Sequence, residues 1–423
     1  MAARRHMFRE PIQSAGAGAP AVVAGRHEPK KKLLYLAVCD PDLEGTGATV
    51  RMGAFVRYLA QYYDVTLVNM AGSGHRVEPA IEERFRDRDN RLGVTRRVRI
   101  AFSRPGYFLL SPALYRAANA LLRKEPFDYL LADYGLAAVY GKLFSRRYDV
   151  PLIYSSHNVE HRMYRDLAAR DFRRSVLAHY VYWAERAACQ AATLVITISE
   201  NDRSQYAKWI SNDRIVVIPQ GFEPQVANPF YDAPAHSPPV VLFVGSFRSE
   251  NNRLAARRIV KEIAPAVHRT RADVRFLLIG ADPPSDLKGP NIDCPGFVDD
   301  LNPHMKRANL VIAPMSFAHG MATKIVSALA FGKTVLSTPD TATGITGKYR
   351  QLEVAPLAGF PAKIVELLAS RPAVDTTDFP ALCAEFAWPE LMARLYERIE
   401  ACGAKSNRGR SLQPALCGEF LWQ

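Results

Sequence analysis

Short apolar runs alternate with longer amphipathic segments along most of the chain. The first run, residues 33–38, is apolar throughout, which is typical of a strand buried on both faces of a parallel sheet. Residues 50–63 then place apolar side chains at the spacing of one helix face, and a second apolar run follows at 64–68. This order predicts a strand–helix–strand unit.

The same alternation continues to residue 218, breaks off, and restarts at residue 240. The interruption, residues 222–239, carries five prolines, which disfavour helices and central strands. We therefore predict two α/β domains, each a doubly wound parallel sheet with Rossmann-like topology, and we expect them to face each other across a cleft. The predicted segments are a flexible leader (1–29), an N-terminal domain (30–222), a linker (223–239), a C-terminal domain (240–385), a C-terminal helix (386–402) and a loose tail (403–423).

The composition narrows the class of protein. Hydrophobic residues make up 48% and charged residues 23%, as in an ordinary globular protein, which excludes a mostly disordered chain. The six cysteines lie far apart without a Cys-x-x-Cys pair. Neither a disulfide framework nor a zinc ribbon is indicated, and we expect a reducing compartment. No run of eighteen apolar residues occurs, so no membrane-spanning helix is predicted.

The net charge of +13 calls for an anionic partner, such as a phosphorylated substrate, an acidic membrane surface or a nucleic acid. Residues 141–175 contain eight Lys or Arg against four Asp or Glu, although a solvated surface explains this excess equally well. Nucleic-acid binding is disfavoured because no basic helix with interleaved aromatic residues is found. Charge alone does not choose between the remaining partners.

Three polar segments follow predicted strands, at the edge where parallel α/β sheets bind ligands. Gly45 and Gly47 lie in the loop after the first strand, where a glycine backbone can approach a phosphate or sugar closely. Residues 155–160, Ser-Ser-His-Asn-Val-Glu, gather polar side chains at the end of another strand. Lys324 falls in the first turn of a predicted helix, near the positive end that attracts a diphosphate. Taken singly, an ordinary loop, a structural histidine and a surface lysine explain these features too.

Together with other motifs, these segments resemble the retaining GT-B glycosyltransferases of glycosyltransferase family 4, in order and spacing, over roughly residues 32–400. The segments that carry the resemblance are the glycine loop with Arg51, Ser156–Glu160, Val195–Glu200, Val217–Gly221, Phe243–Phe247 and Gly320–Thr338. The resemblance implies an N-terminal domain that binds an acceptor and a C-terminal domain that binds a nucleotide-diphosphate-sugar. It further implies transfer with retention at the anomeric carbon, without a metal ion or another cofactor.

The resemblance also implies the site residues. Lys324 would bind the donor diphosphate and His157 would approach the transferred sugar, and these are the two expected catalytic residues. Gly45 and Gly47 would face the donor phosphates or the acceptor. Residues 296–298 would lie along the base. The other expected substrate-binding residues are Arg51, Asn158, Glu160, Arg248, Gly296, Phe297, Val298, Pro314, His319, Gly320 and Ser327, with Pro314 and His319 near the sugar and nucleotide.

The chain departs from the family pattern in two places. Where the family commonly has two glutamates separated by seven residues, the aligned positions hold His319 and Ser327, and serine is too short to reach a ribose in the same way. The Arg and Lys that many members place after the Gly245 strand are missing, and Arg248 is the candidate substitute. The alternative hypothesis is a degenerate GT-B protein that binds a nucleotide or glycan without turnover. A nucleotide-sugar epimerase of the same fold is a smaller rival.

The expected role is sugar transfer to a glycan or lipid-linked acceptor in polysaccharide or cell-envelope biosynthesis. We expect a cytoplasmic protein that attaches peripherally to the inner face of the cytoplasmic membrane. The basic excess in the N-terminal domain would suit that contact, because each Lys or Arg contributes about 1 kcal/mol near an anionic surface.

Overall fold

The computed structural model describes residues 29–38, 47–69, 74–77, 111–168, 172–224, 238–315, 323–343, 345, 347–370 and 377–410. The chain divides into two compact units. The first unit comprises Lys30–Gly221 with the chain from Phe386 onward, and the second comprises Phe222–Glu385. Most of the predicted leader, most of the predicted linker and the last part of the predicted tail lie outside the described residues.

The first unit is built on one twisted sheet with helices on both faces. Its strands are β1 (Lys32–Leu36), β2 (Asp64–Val68), β3 (Gly74–Val77), β4 (Tyr129–Asp133), β5 (Leu152–Ser155), β6 (Leu194–Thr197) and β7 (Ile215–Val217). Its helices up to residue 221 are α1 (Gly47–Tyr62), α2 (Pro112–Lys124), α3 (Gly135–Tyr148), α4 (Glu160–Ala168), α5 (Phe172–Ala191) and α6 (Glu200–Tyr206), with a 3-10 turn at Asn212–Arg214. The sheet order is β3-β2-β1-β4-β5-β6-β7. All neighbouring strands are parallel except β3, which pairs antiparallel with β2.

The apolar run of β1 explains its central place in this sheet. Leu33 and Tyr35 face one layer of the core, and Leu34 and Leu36 face the other, and all four are fully buried. Because successive side chains of a strand point to opposite faces, a central strand needs apolar residues at every position. The predicted doubly wound parallel sheet is therefore confirmed in this unit.

The second unit repeats the architecture. Its strands are β8 (Val240–Val244), β9 (Arg275–Ile279), β10 (Ile292–Gly296), β11 (Leu310–Ala313), β12 (Val335–Ser337) and β13 (Leu352–Val354), all parallel in the order β10-β9-β8-β11-β12-β13. Its helices are α7 (Glu250–Arg258), α8 (Ala264–Thr270), α9 (Asn302–Arg307), α10 (Thr323–Ala330), α11 (Phe360–Ser370) and α12 (Phe379–Phe386). A π-helical segment, Ile259–Ile263, joins α7 to α8, and a 3-10 turn, Leu357–Gly359, precedes α11.

A long final helix, α13 (Trp388–Arg410), returns the chain to the first unit. Its buried residues Trp388, Leu391 and Leu395 join the core layer that β1 shares with α1. The helix runs past the predicted end at residue 402 and continues to Arg410. The segment contains no proline that would stop a helix, and residue 403 is buried. Among the described helices, none combines the length and apolar character needed to cross a bilayer.

Candidate active site

The sheet of the second unit reverses its direction of growth between β8 and β11. The chain proceeds from β8 to β9 and β10 on one side, then returns to pair β11 with the other side of β8. Ligands of open α/β sheets bind at such a switch point, beyond the carboxyl ends of the strands. Gly245 follows β8, and the predicted site residue Pro314, which is buried, follows β11.

Two helices begin at this edge, and each contributes one polar side chain. Lys324, the second residue of α10, donates a hydrogen bond from Nζ to Oδ1 of Asn252 in the first turn of α7, at 2.9 Å. Asn252 donates from Nδ2 to the Ser246 carbonyl oxygen at 2.8 Å. The Nζ also lies 4.4 Å from the centre of the Phe243 ring, a cation–π contact. The ammonium is therefore held beside the loop that follows β8.

The charge of Lys324 has only neutral partners among the described residues. Its hydrogen-bond acceptor is an amide oxygen, and its second contact is an aromatic ring face. Burial lowers the pKa of Lys324 to about 7, because a charged ammonium loses hydration there. An ammonium at a helix start, without a carboxylate beside it, is an arrangement that favours binding of an anion.

Glycines bring the strand ends close together around Asn252. A Cβ on Gly245 would lie 2.7 Å from the Asn252 side chain, and a Cβ on Gly280, which follows β9, would lie 2.0 Å from the Gly245 carbonyl oxygen. The Gly280 N–H donates to the Gly296 carbonyl oxygen at 2.9 Å, and Gly296 has a φ of +84°. The predicted residue Gly296 therefore belongs to the same closely packed edge.

Arg248, the predicted substitute for the missing basic pair, is engaged by a carboxylate. Its Nε lies 2.5 Å from Oδ2 of Asp282, and both side chains are at least half exposed. An arginine paired in this way presents less net charge to a diphosphate than Lys324 does. The sequence analysis did not count Asn252 among the site residues, although Ser246 and Asn252 resemble the family subgroup that lacks the basic pair.

The remaining predicted residues of the second unit differ in their exposure. Phe297, directly after β10, exposes 52% of its surface, and an exposed aromatic ring suits stacking on a base. Val298 is partly buried, and Ser327 is partly buried on α10, one turn after Lys324. His319 and Gly320, and Gly45 of the first unit, lie outside the described residues.

The first unit has its own switch point, between β1 and β4. Asp133 ends β4 and is buried there, and its carboxylate accepts a hydrogen bond from the Tyr35 hydroxyl at 2.8 Å. The other carboxylate oxygen lies 2.8 Å from Nε2 of His157. Burial acts to raise the pKa of Asp133, but His157 and the hydroxyl donors outweigh it and hold that pKa below its ordinary value. Asp133, which the sequence analysis did not identify, thus orients the predicted catalytic histidine.

Arg51 is buried near the same carboxylate. Its Nη1 donates to the Pro219 carbonyl oxygen at 2.9 Å, and its guanidinium lies 4.5 Å from the centre of the Phe55 ring. Burial lowers the pKa of Arg51 to about 10, although the charge of Asp133 counteracts this effect. The other two guanidinium nitrogens, Nε and Nη2, have no hydrogen-bond partner within the described ranges. Gly47, another predicted residue, is the first residue of α1, one turn before Arg51.

The Tyr206 hydroxyl group contacts the residues on either side of His157. The tyrosine hydroxyl lies 2.6 Å from Oγ of Ser156 and 3.1 Å from the carbonyl oxygen of the predicted residue Asn158. It also lies 2.5 Å from Oε1 of Glu185, a fully buried residue of α5. Residues on both sides of His157 are therefore tied to one buried hydroxyl group.

The predicted residue Glu160 is buried at the start of α4. The Glu185 carboxylate accepts the backbone N–H groups of Glu160 and His161, at 3.0 and 3.1 Å, and so caps this helix. Burial and the charge of Glu185 raise the pKa of Glu160 to about 8, although Tyr134 lies near enough to counter part of this effect. Its surroundings therefore favour the protonated form of Glu160.

Two family profiles match the chain in succession. Glycosyltransferase Family 4 matches residues 45–226, and Glycosyl transferases group 1 matches residues 238–370. The two matches identify the chain as a family 4-like GT-B glycosyltransferase. The first match falls largely on the first unit and the second match falls on the second unit of this glycosyltransferase. A search of curated protein sequences found no match.

Solved structures with the same fold are distant in sequence from this glycosyltransferase. Sucrose-phosphate synthase from Thermosynechococcus elongatus superimposes with a TM-score of 0.66 at 16% identity, over 89% of this chain and 100% of that chain. Anabaena HepE in complex with UDP gives a TM-score of 0.60 at 15% identity, over 88% of this chain and 100% of that chain. A glycosyltransferase from Rickettsia africae gives a TM-score of 0.60 at 11% identity, over 88% of this chain and 98% of that chain. These likenesses confirm the predicted GT-B fold.

Proposed function

We propose that this glycosyltransferase moves a sugar, with retention of anomeric configuration, from a nucleotide-diphosphate-sugar to a hydroxyl group of a glycan or lipid-linked acceptor. The observation that carries the proposal is Lys324, an ammonium with neutral described partners at the switch point of the second unit. The departing diphosphate gains charge in the transition state, so a positive group already in place stabilises it most there. The HepE structures contain UDP or UDP-glucose, which supports a donor of this class.

His157 of the first unit has the supporting role in this proposal. The contact between Nε2 and the Asp133 carboxylate fixes the orientation of the imidazole and leaves Nδ1 for a second hydrogen bond. A ring nitrogen fixed in one orientation suits a hydroxyl group of the transferred sugar. The acceptor substrate is assigned to the first unit and the sugar donor to the second.

Transfer needs no metal ion in this proposal, because Lys324 supplies the positive charge at the diphosphate. The described ranges contain no cluster of three His, Cys, Asp or Glu side chains that could hold a metal. Transfer is therefore expected to continue unchanged in excess EDTA. Loss of turnover in EDTA that Mg²⁺ or Mn²⁺ restores would contradict this part of the proposal.

A panel of nucleotide sugars, tested with glycan and lipid-linked acceptors, checks the transfer itself. Turnover by the full chain that disappears in Lys324→Ala, with the donor's anomeric configuration kept in the product by NMR, supports the proposal. Nucleotide binding without turnover would favour the degenerate GT-B binding protein, which Ser327 at a usual glutamate position suggests. A changed sugar formed without any acceptor would indicate an epimerase.

We place the reaction in polysaccharide or cell-envelope biosynthesis, at the cytoplasmic face of the membrane, with the first unit touching an anionic lipid surface. Val176, Tyr180 and Trp183 lie on one face of α5 and expose 55%, 41% and 59% of their surfaces. The Arg186 guanidinium lies 5.3 Å from the centre of the Trp183 ring. Aromatic side chains with a neighbouring arginine favour the interface of an anionic bilayer.

Liposome sedimentation tests this contact. We expect binding to vesicles with anionic lipid, weak binding to neutral vesicles, and a several-fold loss in Trp183→Ser. The matched control is Leu254→Ser, which replaces an apolar side chain of the second unit that is 41% exposed. Equal binding to both vesicle types, or equal loss in both variants, would contradict the contact.

A further inference from the structure

Both polar atoms of the Asn252 side-chain amide are hydrogen-bonded. Its oxygen accepts from Nζ of Lys324 at 2.9 Å, and its nitrogen donates to the Ser246 carbonyl oxygen at 2.8 Å. An amide with an ammonium on one side and a carbonyl on the other has only one favourable orientation. Asn252 therefore links the start of α10 to the loop after β8.

The surroundings of Asn252 leave its side chain little freedom. It packs directly on the backbone of Gly245, where a Cβ would lie 2.7 to 2.8 Å from three of its atoms. Gly245 is in turn packed against Gly280, where a Cβ would lie 2.0 Å from the Gly245 carbonyl oxygen. Because both glycines allow this approach, the side-chain amide is fixed between the strand ends and the lysine.

The neutrality of this amide has a separate consequence. An aspartate has nearly the same shape and would accept the same hydrogen bond, but its carboxylate would pair with the ammonium and cancel most of its charge. Asn252 holds Nζ without neutralising it, and the second described contact of Nζ, the Phe243 ring, is neutral as well. An arriving anion therefore meets an ammonium whose charge none of these described contacts cancels.

We propose that Asn252 is a positioning residue of the donor site: it holds the Lys324 ammonium at the switch point without neutralising it, so that the charge of the ammonium can act on the diphosphate. This inference rests on the proposed function and deepens it. Asn252 acts through Lys324 and does not itself need to touch the substrate.

Two substitutions separate positioning from shape. Asn252→Ala removes the hydrogen bond and is expected to weaken nucleoside diphosphate binding about tenfold, the effect of one hydrogen bond to a charged group. Asn252→Asp keeps the shape and the hydrogen bond but adds a charge next to Nζ, and is expected to weaken binding at least tenfold more than Asn252→Ala does. A purely structural role predicts the reverse order, because the aspartate variant disturbs packing least.

The probes are UDP, GDP and ADP, titrated calorimetrically at pH 6.5 into the full-length chain and its variants. The matched control is Asn251→Asp, which makes the same chemical change one residue earlier in α7 and is expected to alter affinity less than about threefold, because screening weakens a charge farther from the site. A second readout is the NMR titration of the Lys324 side chain, labelled with ¹³C at Cε. Its midpoint is expected to move to higher pH in Asn252→Asp and to stay unmoved in Asn251→Asp.

The outcomes separate this inference from the proposed function. The inference is supported if Asn252→Asp binds diphosphates more weakly than Asn252→Ala and if the titration midpoint of Lys324 rises only in Asn252→Asp. Weaker binding by Asn252→Ala than by Asn252→Asp, or equal losses of affinity in Asn252→Asp and Asn251→Asp, would overturn the inference while leaving the proposed function in place. The inference and the proposed function would both be overturned if the wild-type chain bound none of the three diphosphates, or if Lys324→Ala bound them as tightly as the wild type.

Discussion

At the residue scale, burial shifts the pKa values of two side chains of this protein towards neutral pH. Lys324 has its pKa lowered to about 7, and Glu160 has its pKa raised to about 8. In both, loss of hydration disfavours the charged form, and for Glu160 the nearby carboxylate of Glu185 adds to this effect. Each residue lies just beyond the carboxyl end of a sheet, where ligands of such folds bind.

The affinity for a nucleoside diphosphate should depend on the protonation of Lys324. A diphosphate binds the ammonium form, whose fraction falls as pH rises through about 7. We therefore expect affinity to decrease by up to about tenfold per pH unit above 7, measured by calorimetry between pH 6 and pH 9. Lys324→Arg, which stays charged throughout, should show a flatter profile. Equally steep profiles in the two proteins would contradict this assignment.

Stability should depend on pH through Glu160. The native state keeps Glu160 protonated up to about pH 8, whereas the unfolded state ionises near 4.5. Between these values the native state holds the extra proton, so stability falls as pH rises, by up to about 1.4 kcal/mol per pH unit. Glu160→Gln removes this dependence, and urea unfolding at pH 5 and 7.5 should show a smaller loss of stability for the variant than for the wild type.

The control for this measurement is Glu200→Gln, which makes the same change at a carboxylate whose side chain is 73% exposed. It should leave the pH dependence of the wild type in place. Parallel curves for Glu160→Gln and the wild type would show that Glu160 ionises normally in the native state.

At the element scale, the length of α13 depends on a close helix–sheet approach. Gly403 lies inside this helix and is buried, and a Cβ there would lie 2.2 Å from the Tyr129 hydroxyl oxygen. That hydroxyl group is bonded to Glu400 of the same helix, at 3.3 Å. The glycine, usually unfavourable within a helix, is thus the residue that allows α13 to pack against β4.

Gly403→Ala should therefore destabilise the protein, although alanine is the better helix former. We expect a loss of about 1–3 kcal/mol in the free energy of unfolding, because the added methyl group overpacks the contact with Tyr129. The matched control is Gly359→Ala, where the nearest atoms to a Cβ are 3.9 Å away. Urea unfolding measures both variants, and a stabilised Gly403→Ala would mean that helix propensity outweighs the contact.

At the scale of the whole molecule, residues far apart along the chain share one core. The first unit is formed from residues 30–221 and from the chain that begins at Phe386, so it is complete only after the second unit has been traversed. Trp388 is 1% exposed, and its ring meets Phe55 of α1 edge to face at 6.1 Å. A Cβ on Gly221 would lie 2.6 Å from the same indole ring. The end of the chain is therefore part of the first unit's core.

Trp388→Ala should cost about 3–5 kcal/mol, because it opens a large cavity in that core. Trp183→Ala, which removes an indole ring that is 59% exposed, should stay within about 0.5 kcal/mol of the wild type. Guanidinium unfolding measures both. A similar, small effect of the two substitutions would mean that α13 contributes little to the stability of the first unit.

The features of this protein that could be predicted are those that depend on local sequence patterns. β1 and β2 lie where the apolar runs predict them, and Lys324 and His157 lie at the edges where their place after predicted strands puts them. The sequence analysis does not predict β3, a short antiparallel edge strand with little apolar pattern. It also does not predict the extension of α13 beyond residue 402, because the residues from 403 onward show no helical periodicity.

The sequence by itself determined the two doubly wound sheets, because strands buried on both faces require apolar runs and each run is local. It also determined the family, through motifs whose order along the chain is specific. Only the tertiary structure decided which groups meet and what charge they carry. Lys324 is hydrogen-bonded to Asn252, which lies 72 residues away in the sequence, and His157 is hydrogen-bonded to Asp133, which lies 24 residues away. Hydrogen bonding and loss of hydration depend on neighbours in space, which spacing along the chain does not encode.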